Sequence, residues 1–245
     1  MSALALIRWE APGPYRVAFS TRVGGVSEEP FDSLNLGVMT GDAPERVIEN
    51  RRRLCAEVGV DAERAQMAWQ QHGTVVRHAD ADEEGLATLA DRPQCDGLWT
   101  EESDVGLMLV AADCLPIALA RTDGARPGLA VLHAGWKGLL GGIAQSAVAA
   151  LGPRDLAAVI GPGIGPCCYE VQEDVAGSYR AAFPPQIVRS GRLDMWSAAE
   201  HALRDAGCRT VERVDLCTSC HPELFFSHRR DGPRTGRQGV LAAVA

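Results

Sequence analysis

Two apolar runs that end on reactive side chains constrain the fold more than any other feature of the chain. VGLMLVAA (residues 105–112) leads through Asp113 into Cys114, and GLAVL (residues 128–132) leads into His133. Short apolar runs bounded by Gly and Pro read as strands buried on both faces. A polar residue at the end of such a strand has a rigid support and sits where clefts form. The rest of the chain is therefore read as scaffold and walls for a site built on Cys114 and His133.

Around these runs the pattern alternates between strand and helix periods. YRVAFST (15–21) alternates as a strand, and TRVGGVSEEP follows as a Gly-rich turn carrying Arg22. PFDSLNLG brings Asn35 in a loop. Residues 43–59 show helical spacing through Val47, Leu54 and Val58 and end on Gly59. QMAWQQHGTVVRHAD (66–80) reads as two strand segments interrupted at His72-Gly73, and the acidic stretch 79–93 as a solvent-facing loop. CDGLWTEESDVGLMLVAADC gives two further strand segments. Helices are predicted over 138–152, 171–183 (stopped by Pro184-Pro185) and 193–208. Strands are predicted over 156–160, in VERVDLCTSC (211–220) and at the apolar C-terminal end. Strands and helices mix without the strict alternation of a doubly wound sheet. The expected class is α+β, with mixed β-sheets packed by helices in one layered domain spanning residues 1–245.

The 245 residues are 46% apolar, enough for a sizeable core, and the net charge of -8 argues against a nucleic-acid footprint. No apolar run reaches the ~18 residues of a membrane span. The N-terminal stretch MSALALIRWEAPG has no basic start and makes a poor signal peptide, which predicts a cytoplasmic protein. The eight cysteines then read as thiols, metal ligands or core residues, not as a disulfide framework.

Cys114 and His133 lie 19 positions apart, and His72 also follows a strand and precedes a glycine. Two imidazoles and a thiolate make a three-ligand set, and three protein ligands with an open fourth position define a catalytic zinc site. Spacing alone is equally compatible with two core histidines and a buried cysteine. Asp113 is a candidate to orient a ligand or move a proton. Arg22 and Lys137 are candidate anion clamps beside Gly-rich turns. GPGIGP (161–166) offers backbone N–H groups to an anion, and Tyr169 and Glu170 after it are candidates to read a polar ring. Cys217-Thr218-Ser219-Cys220-His221 matches the spacing of a c-type haem attachment site, which requires an exported chain. Read instead as half of a zinc knuckle it needs a second ligand pair, and Cys208 and His228 are poorly spaced for one. On this reading Cys217 is a wall residue and Cys220 incidental.

TRVGGVS, SLNLG, NRRRL, QQHGTVV, ADCLP, HAGWKG, IGPGIGPCCYEV and FFSHRRDG…TGRQ occur in that order between about residues 15 and 243. Together they resemble the YfiH/laccase-domain family, also called the multicopper polyphenol oxidase or purine nucleoside phosphorylase family. The resemblance implies a zinc site on His72, Cys114 and His133, with copper as a possible occupant. It also implies phosphorolysis of adenosine, inosine and S-methyl-5′-thioadenosine, with an adenosine deaminase activity. The partners expected are purine nucleosides and phosphate, with no nucleic acid and no membrane, in a monomer or small homo-oligomer. Asp113 joins the three ligands as a catalytic candidate, and Arg22, Asn35, Lys137, Tyr169 and Glu170 are the substrate-binding candidates. Lys137 stands where the family often has arginine, so any phosphate contact there is that of a point charge.

Three other readings compete. A multicopper oxidase must ligate several coppers mostly through histidine, and six histidines are few for that purpose. A metal-free cysteine amidase, acting in peptidoglycan editing, would use Cys114 as nucleophile and His133 as base. A non-enzymatic binding module would bind nucleosides and turn none over.

Overall fold

A computed structural model describes residues 4–80, 92–124 and 126–245. The predicted acidic loop 79–93 lies mostly outside the described residues. In chain order the strands are β1 (Leu6–Trp9), β2 (Tyr15–Ser20), β3 (Ala65–Met67), β4 (Val76–His78), β5 (Gly97–Thr100), β6 (Gly106–Ala111), β7 (Leu115–Arg121), β8 (Leu129–Ala134), β9 (Leu156–Ile160), β10 (Val188–Arg189), β11 (Arg192–Leu193), β12 (Cys208–Arg213) and β13 (Gln238–Val244). The α-helices are α1 (Pro44–Val58), α2 (Trp136–Gly141), α3 (Ile143–Leu151), α4 (Glu173–Ala182), α5 (Met195–Asp205) and the short α6 (His228–Asp231).

Two large mixed sheets carry the fold. One has the order β1-β2-β13-β6-β3 and the other β12-β9-β7-β8-β5-β4, with β10-β11 as a separate hairpin. Antiparallel pairing dominates, and β3 with β6, β4 with β5 and β9 with β12 are parallel. The class is α+β with mixed sheets, as expected.

Alternation along the strands assigns the layers. Phe19, Leu107, Leu109 and Val240 of the five-stranded sheet share a core with Ala118, Val131 and Val159 of the six-stranded sheet, so the two sheets pack face to face. The next residues along the same strands face outward. Ile117, Leu119, Leu132 and Ile160 pack on α3, α5 and Tyr179 of α4, while Met108 and Leu241 pack on Leu54 and Val58 of α1. Both faces of the central strands are therefore covered. This is why β6, β7 and β8 read as unbroken apolar runs and not as alternating patterns.

Helix α1 carries a proline at its first turn and closes on Gly59, whose φ of 76° gives the left-handed cap conformation; the N–H of Val60 returns to the carbonyl of Cys55. The helix predicted over 138–152 is instead two helices. Gly142, at φ 97°, ends α2 and starts α3, and α2 begins earlier, at Trp136. The strand predicted over 211–220 lies earlier, over Cys208–Arg213, and leaves Cys217 and Cys220 in the loop beyond it.

Candidate active site

The parity that layers the sheets also aims the site. Leu115, Ile117 and Leu119 face the helices, so Cys114, one residue before Leu115, falls on the side facing the other sheet. The same count along β8 turns His133 inward, where it is only 5% exposed. The pairing of β7 with β8 sets Pro116 opposite His133 and Leu115 opposite Ala134, which brings Cys114 alongside. His72 arrives from the loop between β3 and β4. The ligand atoms of His72, Cys114 and His133 lie within 4.8 Å of one another, and the two imidazole rings meet edge to face with centroids 4.8 Å apart.

Asp96, one residue before β5 and missed in the sequence reading, organises this cluster. Its carboxylate is 1% exposed. It accepts hydrogen bonds from three successive backbone N–H groups, those of Gln71 (3.0 Å), His72 (2.8 Å) and Gly73 (2.7 Å), and from His133 Nδ1 (2.8 Å). The three N–H groups form a nest for an anion and hold His72 at φ 60°, a left-handed conformation that a non-glycine residue adopts at a cost. The bond to His133 uses Nδ1 and leaves Nε2 as the nitrogen facing Cys114. Burial pushes the Asp96 carboxyl up, but the hydrogen bonds from His133, Gly73 and Gln71 outweigh it and hold it below the usual carboxylate range.

Cys114 and His133 perturb each other in the same way. Burial pushes the Cys114 thiol up, and the His133 charge, with hydrogen bonds from His133 and His72, overcomes this and lowers it to about 6. Burial pulls His133 down, and the Cys114 charge and Asp96 outweigh it and raise His133 to about 9. A thiolate and two imidazoles, one of them fixed by a carboxylate on its far nitrogen, are a donor set that fits a borderline-soft divalent ion such as zinc.

The glycines of HAGWKG explain themselves here. A Cβ on Gly135 would stand 2.8 Å from His72 Cδ2 and 3.2 Å from Cys114 Sγ, and one on Gly138 would meet the carbonyl oxygen of Gly73 at 2.6 Å. Both positions must stay bare for the His72 loop to close over Cys114.

The cluster lies in the wall of a cavity of about 550 Å³, where β6 ends and β7 begins. Asp113 and Tyr169 also line it. Asp113, at φ 93°, is locked as an acceptor: Thr218 Oγ1 donates to Oδ1 (2.6 Å) and the Arg229 N–H to Oδ2 (2.7 Å). The Tyr169 ring lies under the Arg229 guanidinium at 5.0 Å; burial, then the Cys114 charge, pushes its phenol up to about 12. Met39 and Trp69 give the cavity exposed apolar surface.

The other sequence candidates are placed elsewhere. Arg22 donates to the carbonyl and carboxylate of Asp32 and to the carbonyl of Pro222, and its guanidinium lies over Phe226. Lys137 stands exposed over Trp136, and Glu170 pairs with Arg192. Asn35 is fully buried. Its amide donates to Gly37, Thr40 and Asp42 and accepts from the N–H groups of Gly37 and Arg237, so it shapes the loop beside the cavity without reaching it. None of these four lines the cavity.

Positive charge at the cavity comes instead from Arg51, Arg92, Arg229 and Arg237. Arg51 is 1% exposed; its Nε and Nη2 both donate to the carbonyl of Leu36, and its Nη1 has no partner among the described residues. Burial, and then the charge of Arg92, lowers it to about 9, and burial lowers Arg237 as well. Arg51 and Arg237 lie in NRRRL and TGRQ, two of the motifs that carry the family resemblance.

Comparison with known proteins agrees with this architecture. Residues 16–245 match the family model described as multi-copper polyphenol oxidoreductase laccase. The chain belongs to the YfiH/laccase-domain family. Among its relatives, a Geobacillus stearothermophilus protein named purine nucleoside phosphorylase YlmD is 38% identical over 239 residues, covering 89% of this chain and 86% of its own length. The Escherichia coli protein named purine nucleoside phosphorylase YfiH is 32% identical, with 97% of each chain covered. The crystal structure of the Geobacillus YlmD superposes with a TM-score of 0.90 at 35% identity, covering all of this chain and 97% of that one. That of a Bacillus licheniformis YfiH protein gives 0.88 at 32%, with 96% and 98% covered. Among the described residues no helix is long and apolar enough to cross a membrane.

Proposed function

We propose that this chain is a zinc-dependent purine nucleoside phosphorylase acting on adenosine, inosine and S-methyl-5′-thioadenosine, with adenosine deamination as a second activity. The observation that carries the reading is the convergence of His72, Cys114 and His133 in one wall of a cavity also lined by the buried Arg51, by Arg237 and by Asp113. The names of the relatives support the substrate class.

Zinc held by His72, Cys114 and His133 would supply a Lewis-acid charge in the cavity wall. The chain's own residues do the rest. Arg51 Nη1, buried and unpartnered, and Arg237 are suited to hold phosphate, because a guanidinium out of water binds an oxyanion more strongly than an exposed lysine does. They take the role expected of Arg22 and Lys137. Trp69, Met39 and Tyr169 offer apolar and aromatic surface to a purine or a thiomethyl group. Phosphorolysis forms a bond from a phosphate oxygen to C1′ as the bond from C1′ to N9 breaks, and the purine leaves with the electron pair. Positioning phosphate in line is the main contribution these arginines make. Deamination adds water at C6 and expels ammonia. Asp113, whose two oxygens accept from Thr218 Oγ1 and the Arg229 N–H, is the base that takes a proton from that water and passes it to the departing amino group.

Incubation with adenosine, inosine and S-methyl-5′-thioadenosine, with and without phosphate, tests both activities. Base release that requires phosphate supports the reading, and equal release without phosphate refutes phosphorolysis. Absence of ammonia from adenosine refutes the deaminase.

One observation favours a second reading. Asp96, His133 and Cys114 form a relay in which the carboxylate orients the imidazole and the imidazole faces a thiol held near pKa 6, the arrangement of a cysteine hydrolase. Protein stripped of metal and still fully active would decide for this reading. Loss of turnover on stripping and its return with zinc would decide against it.

A further inference from the structure

A second cluster of ligand atoms lies outside the cavity. Cys167 and Cys168 follow the Gly/Pro loop after β9, and Cys217 and Cys220 sit in the loop after β12. Their four Sγ atoms lie within 4.8 Å of one another, and Cys220 Sγ stands 3.5 Å from that of Cys167 and 3.4 Å from that of Cys168. Four sulfurs each ~2.3 Å from a tetrahedral zinc stand about 3.8 Å apart, so the sulfurs already approximate the shell of one ion.

We infer that Cys167, Cys168, Cys217 and Cys220 form a second metal centre, a closed tetrathiolate zinc site that joins the loop carrying Tyr169 to the loop carrying Thr218. The second ligand pair that the Cys-x-x-Cys sequence lacked is the adjacent Cys167-Cys168, some fifty residues earlier in the chain. The loops are fixed independently of any ion. The Thr218 N–H donates to the Gly163 carbonyl (3.1 Å), the Cys220 N–H to the Cys217 carbonyl (3.2 Å) and the Cys168 N–H to the Gly165 carbonyl (3.0 Å).

The surroundings suit four thiolates. The Gly165 N–H donates to Cys217 Sγ at 3.2 Å, the kind of bond that orients and stabilises a metal-bound sulfur. Four thiolates around a divalent ion leave a net charge of about −2. Two guanidiniums are held against the backbone of the same loops: Arg229 donates to the Cys168 carbonyl (3.4 Å), and Arg230 to those of Thr218 (2.8 Å) and Ser219 (3.3 Å). Cys167 and Cys220 are exposed, which gives an ion a path in. Cys220 lies almost equally far from two sulfurs, a geometry that one ion satisfies and that a disulfide to either would break.

The site has a structural role. Cys168 directly precedes Tyr169, and Thr218 between the other two cysteines fixes the Asp113 carboxylate. The inference does not rest on the function proposed above.

Zinc per chain, measured on protein purified under reducing conditions, tests it. In the Cys114→Ser background, where the cavity cluster is broken, one zinc per chain is expected, and none after Cys217→Ser and Cys220→Ser are added. Equal zinc in both proteins overturns the inference, as does iron in place of zinc. A Cys167–Cys220 or Cys168–Cys220 disulfide in zinc-free Cys114→Ser protein also overturns it. If the triple variant does not fold, cobalt loading of the Cys114→Ser protein decides. Intense visible bands of a tetrahedral tetrathiolate support the site, and the pale spectrum of hydrated cobalt overturns it.

Discussion

Asp96→Asn exchanges one carboxylate oxygen for an amide nitrogen and leaves the side-chain volume almost unchanged, so its effect reports hydrogen bonding and charge alone. The carboxylate accepts four hydrogen bonds, two at each oxygen. An amide can keep only two. If its oxygen keeps Gln71 and Gly73, its NH₂ faces the His72 N–H and offers a proton to His133 Nδ1. That shifts the His133 proton to Nε2, the nitrogen needed beside Cys114. If its oxygen keeps His72 and His133, the NH₂ opposes the Gln71 and Gly73 N–H groups. Hydrogen bonds to a charged group are worth about 1.5–3 kcal/mol each and do not add. The exposed Gln71–His72 backbone regains some water, so the net cost is placed at about 2 kcal/mol. For a chain of this size that lowers the melting midpoint by about 4–8 °C. Removing a carboxylate behind a histidine ligand weakens metal binding by about 10–100-fold.

Acid gives this prediction a second edge. The folded-state pKa of Asp96 lies below its unfolded value. Its contribution is therefore complete above the unfolded pKa of ~3.9 and is lost as pH falls through the lower folded value. The stability gap between metal-free wild type and Asp96→Asn should be widest between about pH 4 and 6.5, close below about pH 4, and narrow again as pH rises through about 9, where His133 loses the proton that Asp96 helps to hold. Thermal denaturation across that range, with competitive zinc titration at neutral pH, measures both effects. An Asn variant that matches wild type in midpoint and in zinc affinity would refute the role assigned to Asp96.

Three further outcomes are expected. Gly135→Ala places a methyl 2.8 Å from His72 Cδ2; the exposed His72 loop yields, so folding costs about 1 kcal/mol while zinc affinity falls about tenfold or more, and unchanged zinc binding would contradict the packing. Arg51→Met should raise KM for phosphate about tenfold, equivalent to ~1.4 kcal/mol, with little change in KM for the nucleoside; equal increases in both would place phosphate elsewhere. Zinc has to displace the proton that Cys114 and Asp96 hold on His133, so affinity should climb with pH and level off above about 9; a flat profile between neutrality and that point would contradict the ion pair.

Cys114 and His133 could be found from sequence because a strand covered on both faces announces itself as an apolar run, and its first polar residue marks the end. Partnership between strands could not be found this way. The last strand of the chain, β13, lies between β2 and β6 in the middle of its sheet, and nothing in GVLAAV specifies those neighbours. Cys167 and Cys168 illustrate the same limit. Their meaning depends on Cys217 and Cys220, which are brought near by β9 and β12 pairing side by side, and spacing along the chain carries no trace of that.

Arg51 is a different case, because the sequence did contain the sign. Val47, Arg51, Leu54 and Val58 follow the three- and four-residue steps of one helix face, and the structure buries all four. An arginine on a solvent face is commonplace, but one within the apolar stripe of its own helix has to be desolvated when the stripe packs. Desolvation of a guanidinium is costly unless something compensates it. Two of its nitrogens are satisfied by the carbonyl of Leu36, and Nη1 is buried without a partner in a residue that lines the cavity. On the function proposed above, a phosphate bound in that cavity would supply both the countercharge and the missing acceptor.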